Sequence, residues 1–245
     1  MLDILFPKVC PSCGKSQLKD EKLCESCLSD IRFINNWDFC GKCGVPFGFF
    51  LNQGKDIPDL ESDHVNHLCS KCIKEGYNFQ KARAIAIYEG NLRKLIISFK
   101  YEGTLSYGEL LLYIIKTNFP NDLDEFDYVV PVPLYIDKLR HREYNQSVIL
   151  ATGIAKYKGV KCALFGLKRT RDTIPQIEIR DEGERRRNVK GAFSVATNKI
   201  YNEKSVLLVD DVFTTGSTSD ECSKMLLKSG AYKVQVLTLT RARAI

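Results

Sequence analysis

Residues 206–218 read VLLVDDVFTTGST, and the interpretation of the rest of the chain starts from this stretch. Residues 206–209 form an unbroken apolar run with a valine at each end, which predicts a strand buried on both faces of a parallel sheet. Two carboxylates, Asp210 and Asp211, are expected at the carboxyl end of that strand. A helix is predicted over residues 219–230, with its buried face formed by Met225, Leu226 and Leu227.

The loop between this strand and helix is rich in hydroxyl groups. Hydroxyls and the amides at a helix start suit a phosphate dianion, because those amides have no acceptor within the helix. The two carboxylates suit vicinal sugar hydroxyls or a hydrated divalent cation. The arrangement therefore predicts a site for a phosphorylated sugar, with the phosphate bound by Thr214, Thr215, Gly216, Ser217 and Thr218.

Two acidic residues, two variable residues and Thr-Thr-Gly-x-Thr form a specific pattern. It resembles the 5-phosphoribosyl-1-pyrophosphate (PRPP) motif of type I phosphoribosyltransferases. The alternative is an ordinary strand–loop–helix of a doubly wound sheet. That alternative needs none of the adjacent carboxylates, hydroxyls and glycine.

Composition and length bound the class of protein. A chain of 245 residues with 44% hydrophobic and 27% charged residues is typical of a globular protein with one large or two modest domains. No apolar run approaches the roughly 20 residues that span a bilayer. The start, MLDILFPKVC, lacks the features of a secretory signal, so we expect a cytoplasmic protein without a transmembrane segment.

Positive charge is concentrated in the middle of the chain. Residues 138–192 hold 14 Lys or Arg against 6 Asp or Glu, whereas residues 1–80 hold 9 against 11. A pyrophosphate substrate or a nucleic acid would be attracted by such an excess, although a solvated surface also accounts for it.

Eight of the ten cysteines fall in four CxxC pairs within the first 72 residues. A CxxC spacing lets two thiolates bind one tetrahedral ion, and two pairs complete a structural zinc site. A disulfide framework would require an oxidising compartment. The expected ligands are Cys10, Cys13, Cys24, Cys27, Cys40, Cys43, Cys69 and Cys72.

The pairing of these cysteines stays open at this point. Sequential pairs would join the first two and the last two CxxC motifs, whereas a cross-braced arrangement would interleave them. His64 and His67 could replace a thiolate, but their polar surroundings favour exposed histidines. Cys162 and Cys222 lie in apolar segments and are expected in the core.

We expect two domains, a zinc-binding module over residues 1–80 and an α/β domain over residues 81–245. Alternating strands and helices in the second part predict a parallel sheet. Residues 91–101 are predicted as a helix with Lys100 on its solvent side. Residues 166–188 are polar and arginine-rich, which favours a mobile loop or a linker. Further strands are expected at 84–88, 127–132, 160–165, 191–195 and 233–240, and further helices at 105–119 and 145–158.

The chain resembles the ComF family of ComFC- and GntX-like proteins over nearly its whole length. The resemblance is carried by the CxxC-rich start and by RAIAIYEGNLRKLIISFKYEG, VVPVPL, RHREYNQS, LKRTRDTIPQ, RRRNVKGAF and VLLVDDVFTTGST. It implies an α/β, type I phosphoribosyltransferase-like parallel sheet behind an N-terminal cysteine-rich zinc-binding module. It also implies a role with incoming single-stranded DNA in competent bacteria, alongside a ComFA-type DNA-uptake helicase and other competence proteins.

Two functions remain open from the sequence. As a phosphoribosyltransferase, the chain would bind PRPP with magnesium through Asp210 and Asp211, and catalysis would consist mainly of positioning and charge neutralisation. The pyrophosphate would lie against Val132, Pro133 and Leu134, with Arg140 and Arg142 near the leaving group. Alternatively, the chain is a catalytically inactive module that binds single-stranded DNA through its arginines.

Overall fold

The computed structural model describes residues 9–16, 22–36, 38–47, 67–101, 106–174, 178–179, 181–195 and 199–242. Seven β-strands lie within these residues: β1 (Lys81–Ile87), β2 (Tyr128–Pro131), β3 (Lys161–Cys162), β4 (Leu167–Arg169), β5 (Phe193–Val195), β6 (Ser205–Phe213) and β7 (Lys233–Arg241). The α-helices are α1 (Glu25–Ser29), α2 (Ser70–Lys74), α3 (Gly90–Tyr101), α4 (Ser106–Thr117), α5 (Ile136–Arg142), α6 (Gln146–Lys158), α7 (Glu182–Val189) and α8 (Ser217–Lys228). Two short 3-10 helices cover Ile34–Asn36 and Lys199–Tyr201.

Five strands form a sheet in the order β1-β7-β6-β2-β3, and every neighbouring pair is parallel. β4 and β5 form a separate antiparallel pair. The predicted parallel α/β sheet is therefore confirmed. Because the carboxyl ends of parallel strands meet at one edge, the loops after β2 and β6 lie side by side.

The central strand β6 is apolar on both faces because each face is covered by helices. Leu207 and Val209 belong to a core shared with α3, α4 and α6, whereas Val206 and Leu208 belong to a core shared with α8 and β5. Alternate residues of a strand point to opposite faces, so an unbroken apolar run is what this position requires.

The structure corrects the expected ends of β6 and the face of the helix after it. β6 continues through the acidic pair to Phe213, because β7 stays paired with it as far as Arg241. α8 starts at Ser217, and its fully buried apolar residues are Cys222 and Leu226. Met225 and Leu227 pack only partly against the core.

Two further expectations are wrong. The strand predicted over residues 160–165 is only Lys161–Cys162, an edge strand that pairs at two positions with the short β2. The described part of residues 166–188 is not an irregular loop, since it contains β4 and α7. Gln176 and Arg180, which also belong to that segment, lie outside the described residues.

The N-terminal module covers the free edge of β1. The Ala82 amide donates to the Lys42 carbonyl (2.7 Å), and the Ile87 amide donates to the Arg32 carbonyl (2.9 Å). An uncovered edge strand would present unpaired backbone groups, so these bonds both protect the sheet and anchor the module to it. In the ranges given above, no helix combines the length and the apolar character that crossing a membrane requires.

Candidate functional site

A cavity of about 460 Å³ opens where β2 and β6 end. It has both apolar and charged walls, and it contains the acidic pair together with much of the loop after it. Its lining includes Tyr88, Arg93, Lys100, Tyr101, Val132, Pro133, Leu134, Lys138, Arg142, Ser147, Arg169, Ile174, Arg185, Asp210, Asp211, Thr214, Gly216, Thr218 and Ser219.

Lys100 neutralises one carboxylate of the acidic pair. Its Nζ lies 2.8 Å from both oxygens of Asp211, and the two side chains are 18% and 13% exposed. Burial lowers the pKa of Lys100, but the charge and hydrogen bond of Asp211 outweigh it and raise the pKa above its usual value. The expectation that Lys100 faces solvent is wrong, because the last turn of α3 ends beside β6.

Asp210 has a different environment from its neighbour. One of its oxygens accepts hydrogen bonds from the Ser147 hydroxyl and from the Asp211 amide, both at 3.0 Å. Burial, followed by the charge of Asp211, raises the pKa of Asp210 to about 7, although Lys100 opposes the change. A bound cation or diol would favour the charged form.

The loop after β6 turns sharply at Gly216, whose φ of +82° lies in the left-handed region. A Cβ there would come within 2.6 Å of the Phe213 ring, so the turn requires glycine. The hydroxyls of Thr215 and Ser217 are 2.8 Å apart. Thr214, Gly216 and Thr218 line the cavity, whereas Thr215 and Ser217 are not among its lining residues.

The loop after β2 forms the adjacent wall of the cavity. Val132, Pro133 and Leu134 all line the cavity, as expected from the sequence. The Val132 amide donates to the Val209 carbonyl (2.9 Å), and the Asn145 side chain donates to the Val132 carbonyl (3.0 Å). Asn145 is also the N-cap of α6, so one residue ties this loop to the helix that supplies Ser147.

The two arginines assigned to the leaving group are separated by the structure. Arg142 lines the cavity, donates to the Tyr101 hydroxyl (3.0 Å) and lies 4.7 Å from the Tyr101 ring. Arg140 is 74% exposed, pairs with Asp137 and does not line the cavity. The helix periodicity of α5 turns them to different sides.

Several cavity residues were not assigned to the site from the sequence. Arg169 lines the cavity, and its Nε is buried without a hydrogen-bond partner among the described residues. Ser147 and Arg93 carry no local signal of their role, since each is a single polar residue within a helix. Lys138 and Arg185 belong to the basic middle of the chain, which is the one feature that indicated them.

The two four-cysteine clusters are separate and sequentially paired. Cys10, Cys13, Cys24 and Cys27 form the first cluster, and Cys40, Cys43, Cys69 and Cys72 form the second. Within each cluster the sulfur atoms lie within 4.8 Å of one another. This donor set fits one tetrahedral zinc ion per cluster, and it rules out the cross-braced alternative.

Backbone hydrogen bonds to sulfur favour the thiolate form at one cysteine of each cluster, Cys10 and Cys40. The Cys69 amide donates to Cys40 Sγ (3.3 Å), and the Cys24 amide donates to Cys10 Sγ (3.5 Å). The pKa of Cys40 is lowered to about 4, and the largest cause is the hydrogen bond with the Cys43 side chain.

The other histidine and cysteine candidates lie outside these clusters. His67 is exposed and belongs to neither cluster, while His64 lies outside the described residues. Cys222 is fully buried and Cys162 partly buried.

Comparison with solved structures finds partial matches. One is the glutamine PRPP amidotransferase from B. subtilis complexed with ADP and GMP, at 23% identity and a TM-score of 0.34, covering 57% of this chain and 26% of that one. Another is the adenine phosphoribosyltransferase from Thermoanaerobacter pseudethanolicus, at 11% identity and a TM-score of 0.37, covering 58% and 83%.

Sequence comparison gives matches over most of the chain. Residues 1–73 match the family model of the double zinc ribbon domain. The chain is 30% identical over 235 residues to "Competence protein F" of Haemophilus influenzae, which covers 94% of each protein. It is 27% identical to "DNA utilization protein YhgH" of Escherichia coli K12 (89% and 90%) and 24% identical to "Competence protein ComFC" of Bacillus subtilis (91% and 85%). The chain, with its double zinc ribbon and parallel α/β sheet, belongs to the ComF family.

Proposed function

We propose that this protein binds PRPP with Mg²⁺ in the cavity at the ends of β2 and β6, and that this site serves the handling of single-stranded DNA in natural transformation. The relatives' names, competence protein and DNA utilization protein, support the biological context. The geometry of the cavity supports the choice of PRPP as the ligand. The proposed division is a zinc-binding module over residues 1–80 and a phosphoribosyltransferase-like domain over residues 81–245, in a cytoplasmic protein.

One observation carries the proposal: a single cavity brings together two carboxylates and a glycine turn at the start of α8. Asp210 and Asp211 would hold the ribose hydroxyls or the hydrated ion. The loop over residues 214–218 would bind the 5′-phosphate with its amides and hydroxyls. Residues 132–134 would contact the pyrophosphate.

The remaining lining residues fit a polyanion. Lys138, Arg142 and Arg185 bring positive charge to the cavity, and the buried Nε of Arg169 lacks a partner among the described residues. A buried guanidinium N–H without an acceptor is costly, and a phosphate oxygen would compensate for that cost. Mg²⁺ supplies charge neutralisation at the pyrophosphate when it is bound.

Lys100 balances the charge of Asp211 when no ligand is bound. It supplies the positive charge beside Asp211 that a hydrated cation would supply in the complex. If PRPP is turned over, the chain's own contribution is to orient the ribose and stabilise charge on the leaving pyrophosphate.

A second candidate is a catalytically inactive module that binds single-stranded DNA. The exposed guanidinium of Arg187 (73%) and the half-exposed one of Arg186 (39%) on α7 favour it, because they are accessible to a phosphate backbone. In this case PRPP would have no affinity, and the expected partners would still include a ComFA-type helicase and other competence proteins.

Calorimetry on one preparation separates these candidates. Titration with PRPP plus Mg²⁺ should give saturable binding that disappears when Mg²⁺ is omitted. Single-stranded DNA is then titrated into the free and the PRPP-loaded protein. DNA binding without any PRPP binding would establish the second candidate and refute the first.

A further inference from the structure

The loop over residues 214–218, called the phosphate loop below for its proposed ligand, is bonded to the zinc-binding module through one carbonyl group. The Thr215 carbonyl accepts a hydrogen bond from the Tyr77 hydroxyl (2.8 Å) and another from Lys71 Nζ (3.1 Å). Lys71 lies in α2, between the second-cluster ligands Cys69 and Cys72, and it also pairs with Glu182 of α7. Both donors therefore come from the segment that the second cysteine cluster organises.

Further contacts connect the same part of the module to both ends of the loop. Before the loop, the Arg241 guanidinium lies 4.6 Å from the Phe213 ring and donates to the Cys43 carbonyl (2.7 Å). After the loop, the Asn78 amide and side chain both donate to Asp220 Oδ1, at 2.6 and 2.9 Å. The module thus contacts residues 213–220 directly in their middle and at their end, and it reaches their beginning through Arg241 of β7.

The Thr215 carbonyl controls the direction of the Gly216 amide. These two groups belong to one planar trans peptide, so they point in opposite directions. With the carbonyl fixed toward Tyr77 and Lys71, the Gly216 N–H points away from the module. Tyr77 also limits the space at this turn, since a Cβ on Gly216 would be 3.0 Å from its ring. Gly216 itself lines the cavity.

We propose that Lys71 and Tyr77 are positioning residues that connect the second zinc cluster to the phosphate site, by orienting the Gly216 amide for the 5′-phosphate. This inference rests on the proposed phosphate-binding function of the cavity and goes beyond it. It assigns the two clusters different roles. The second cluster supports ligand binding, whereas the first cluster, whose Cys10 and Cys27 pack against the core beside α3 and α4, supports the fold.

Two variants test the proposal, each with a matched control. Tyr77→Phe removes one donor but keeps the ring stacked on Phe79 (4.6 Å), and Lys71→Met removes the other. Tyr107→Phe is the first control, since the Tyr107 hydroxyl makes the equivalent bond to the first cluster's Pro11 carbonyl (3.2 Å). Lys74→Met is the second, because it removes the same charge from the exposed end of α2.

Three quantities are measured: zinc content, hydrogen exchange of the amides of residues 213–219 in the ligand-free protein, and PRPP affinity with Mg²⁺. In each test variant we expect faster exchange in the loop and an affinity roughly fivefold weaker, the typical effect of one lost hydrogen bond. Zinc content should be unchanged, and Lys71→Arg should restore both readouts. The two controls should match the wild type.

The exchange measurement decides the inference by itself. Unchanged loop exchange in Tyr77→Phe and Lys71→Met overturns it, whatever happens to PRPP. Loss of zinc in both variants also overturns it, because the contacts would then hold the module rather than the loop. A wild type that does not bind PRPP refutes the proposed function, while the loop exchange still reports whether the two residues position the turn.

Discussion

Replacing either member of the acidic pair by asparagine should change the stability of the protein in opposite directions. The two residues are adjacent, but Asp211 shares its charge with Lys100, whereas Asp210 accepts only neutral hydrogen bonds. At pH 8 we therefore expect Asp210→Asn to stabilise the fold and Asp211→Asn to destabilise it.

The magnitude for Asp210 follows from its pKa, which rises from 3.8 to about 7. The folded state holds this proton more tightly than the unfolded state, so the free energy of unfolding falls as pH rises through this interval. A difference of about 3 pH units corresponds to a loss of up to about 4 kcal/mol, complete above pH 7. Asparagine carries no charge and keeps the acceptor for Ser147, so Asp210→Asn should recover that amount at pH 8 and nothing at pH 4.

The magnitude for Asp211 follows from the buried ion pair. Asp211→Asn leaves the Lys100 ammonium without its closest counter-charge in a site where both side chains are less than a fifth exposed. Removal of one partner of such a pair costs about 3–5 kcal/mol, and the neighbouring Asp210 charge favours the lower value. Because the pKa of Lys100 is raised, the contribution of its charge is present below its usual pKa of 10.5 and is lost only as pH rises through the raised value.

Urea unfolding at pH 4 and pH 8 measures both effects. Asp137→Asn is the control, since Asp137 is 57% exposed and its pair with Arg140 should contribute less than about 1 kcal/mol. Destabilisation by Asp210→Asn at pH 8, or equal effects of the two substitutions, would refute the electrostatic description of the site.

The other predictions concern the metal clusters and the ligands. Elemental analysis of protein purified without added metal should give about two zinc ions per chain, and one ion would contradict the assignment of one cluster. Cys40→Ser should remove one of these ions and loosen residues 1–75 while the sheet stays folded, as measured by limited proteolysis. Joint replacement of Arg185, Arg186 and Arg187 by alanine should weaken binding of single-stranded DNA and flatten its salt dependence. A competent host that expresses the double Asp210→Asn, Asp211→Asn protein at the normal level should lose transformation, although the protein still binds DNA. Normal transformation would show that the pocket is dispensable.

Much of the sheet could be predicted because its signals are local. The apolar run of β6 predicted a strand buried on both faces, and the helical periodicity of α3 agrees with the burial of Leu92, Leu95 and Ile96. The same periodicity assigned Lys100 to solvent. That error arises because a helical pattern describes the sides of a helix, whereas Lys100 lies in the last turn and reaches past the end toward β6. Only the arrangement of α3 and β6 in space reveals the ion pair.

Helix α7 was missed because it has no apolar stripe. Of its eight residues only Val189 is buried, and ion pairs to Lys71 and Glu75 of the zinc module attach it to the rest of the protein. One local signal was available. Asp181 accepts a hydrogen bond from the Glu184 amide (2.8 Å), which is the pattern of an acidic N-cap followed three residues later by glutamate.

The contacts of the zinc module also bear on where a nucleic acid would bind. The module bonds to the edge of β1 through Lys42 and Arg32, and to the Thr215 carbonyl in the loop after β6 through Lys71 and Tyr77. Residues 1–80 carry more acidic than basic residues, and zinc-bound thiolates add negative charge. A DNA backbone is therefore expected to avoid the cysteine clusters and to approach the arginines of α7, beside the cavity. In that arrangement the zinc module stays clear of the DNA, and the proposed sugar-phosphate site and the DNA path would share Arg185, which lines the cavity.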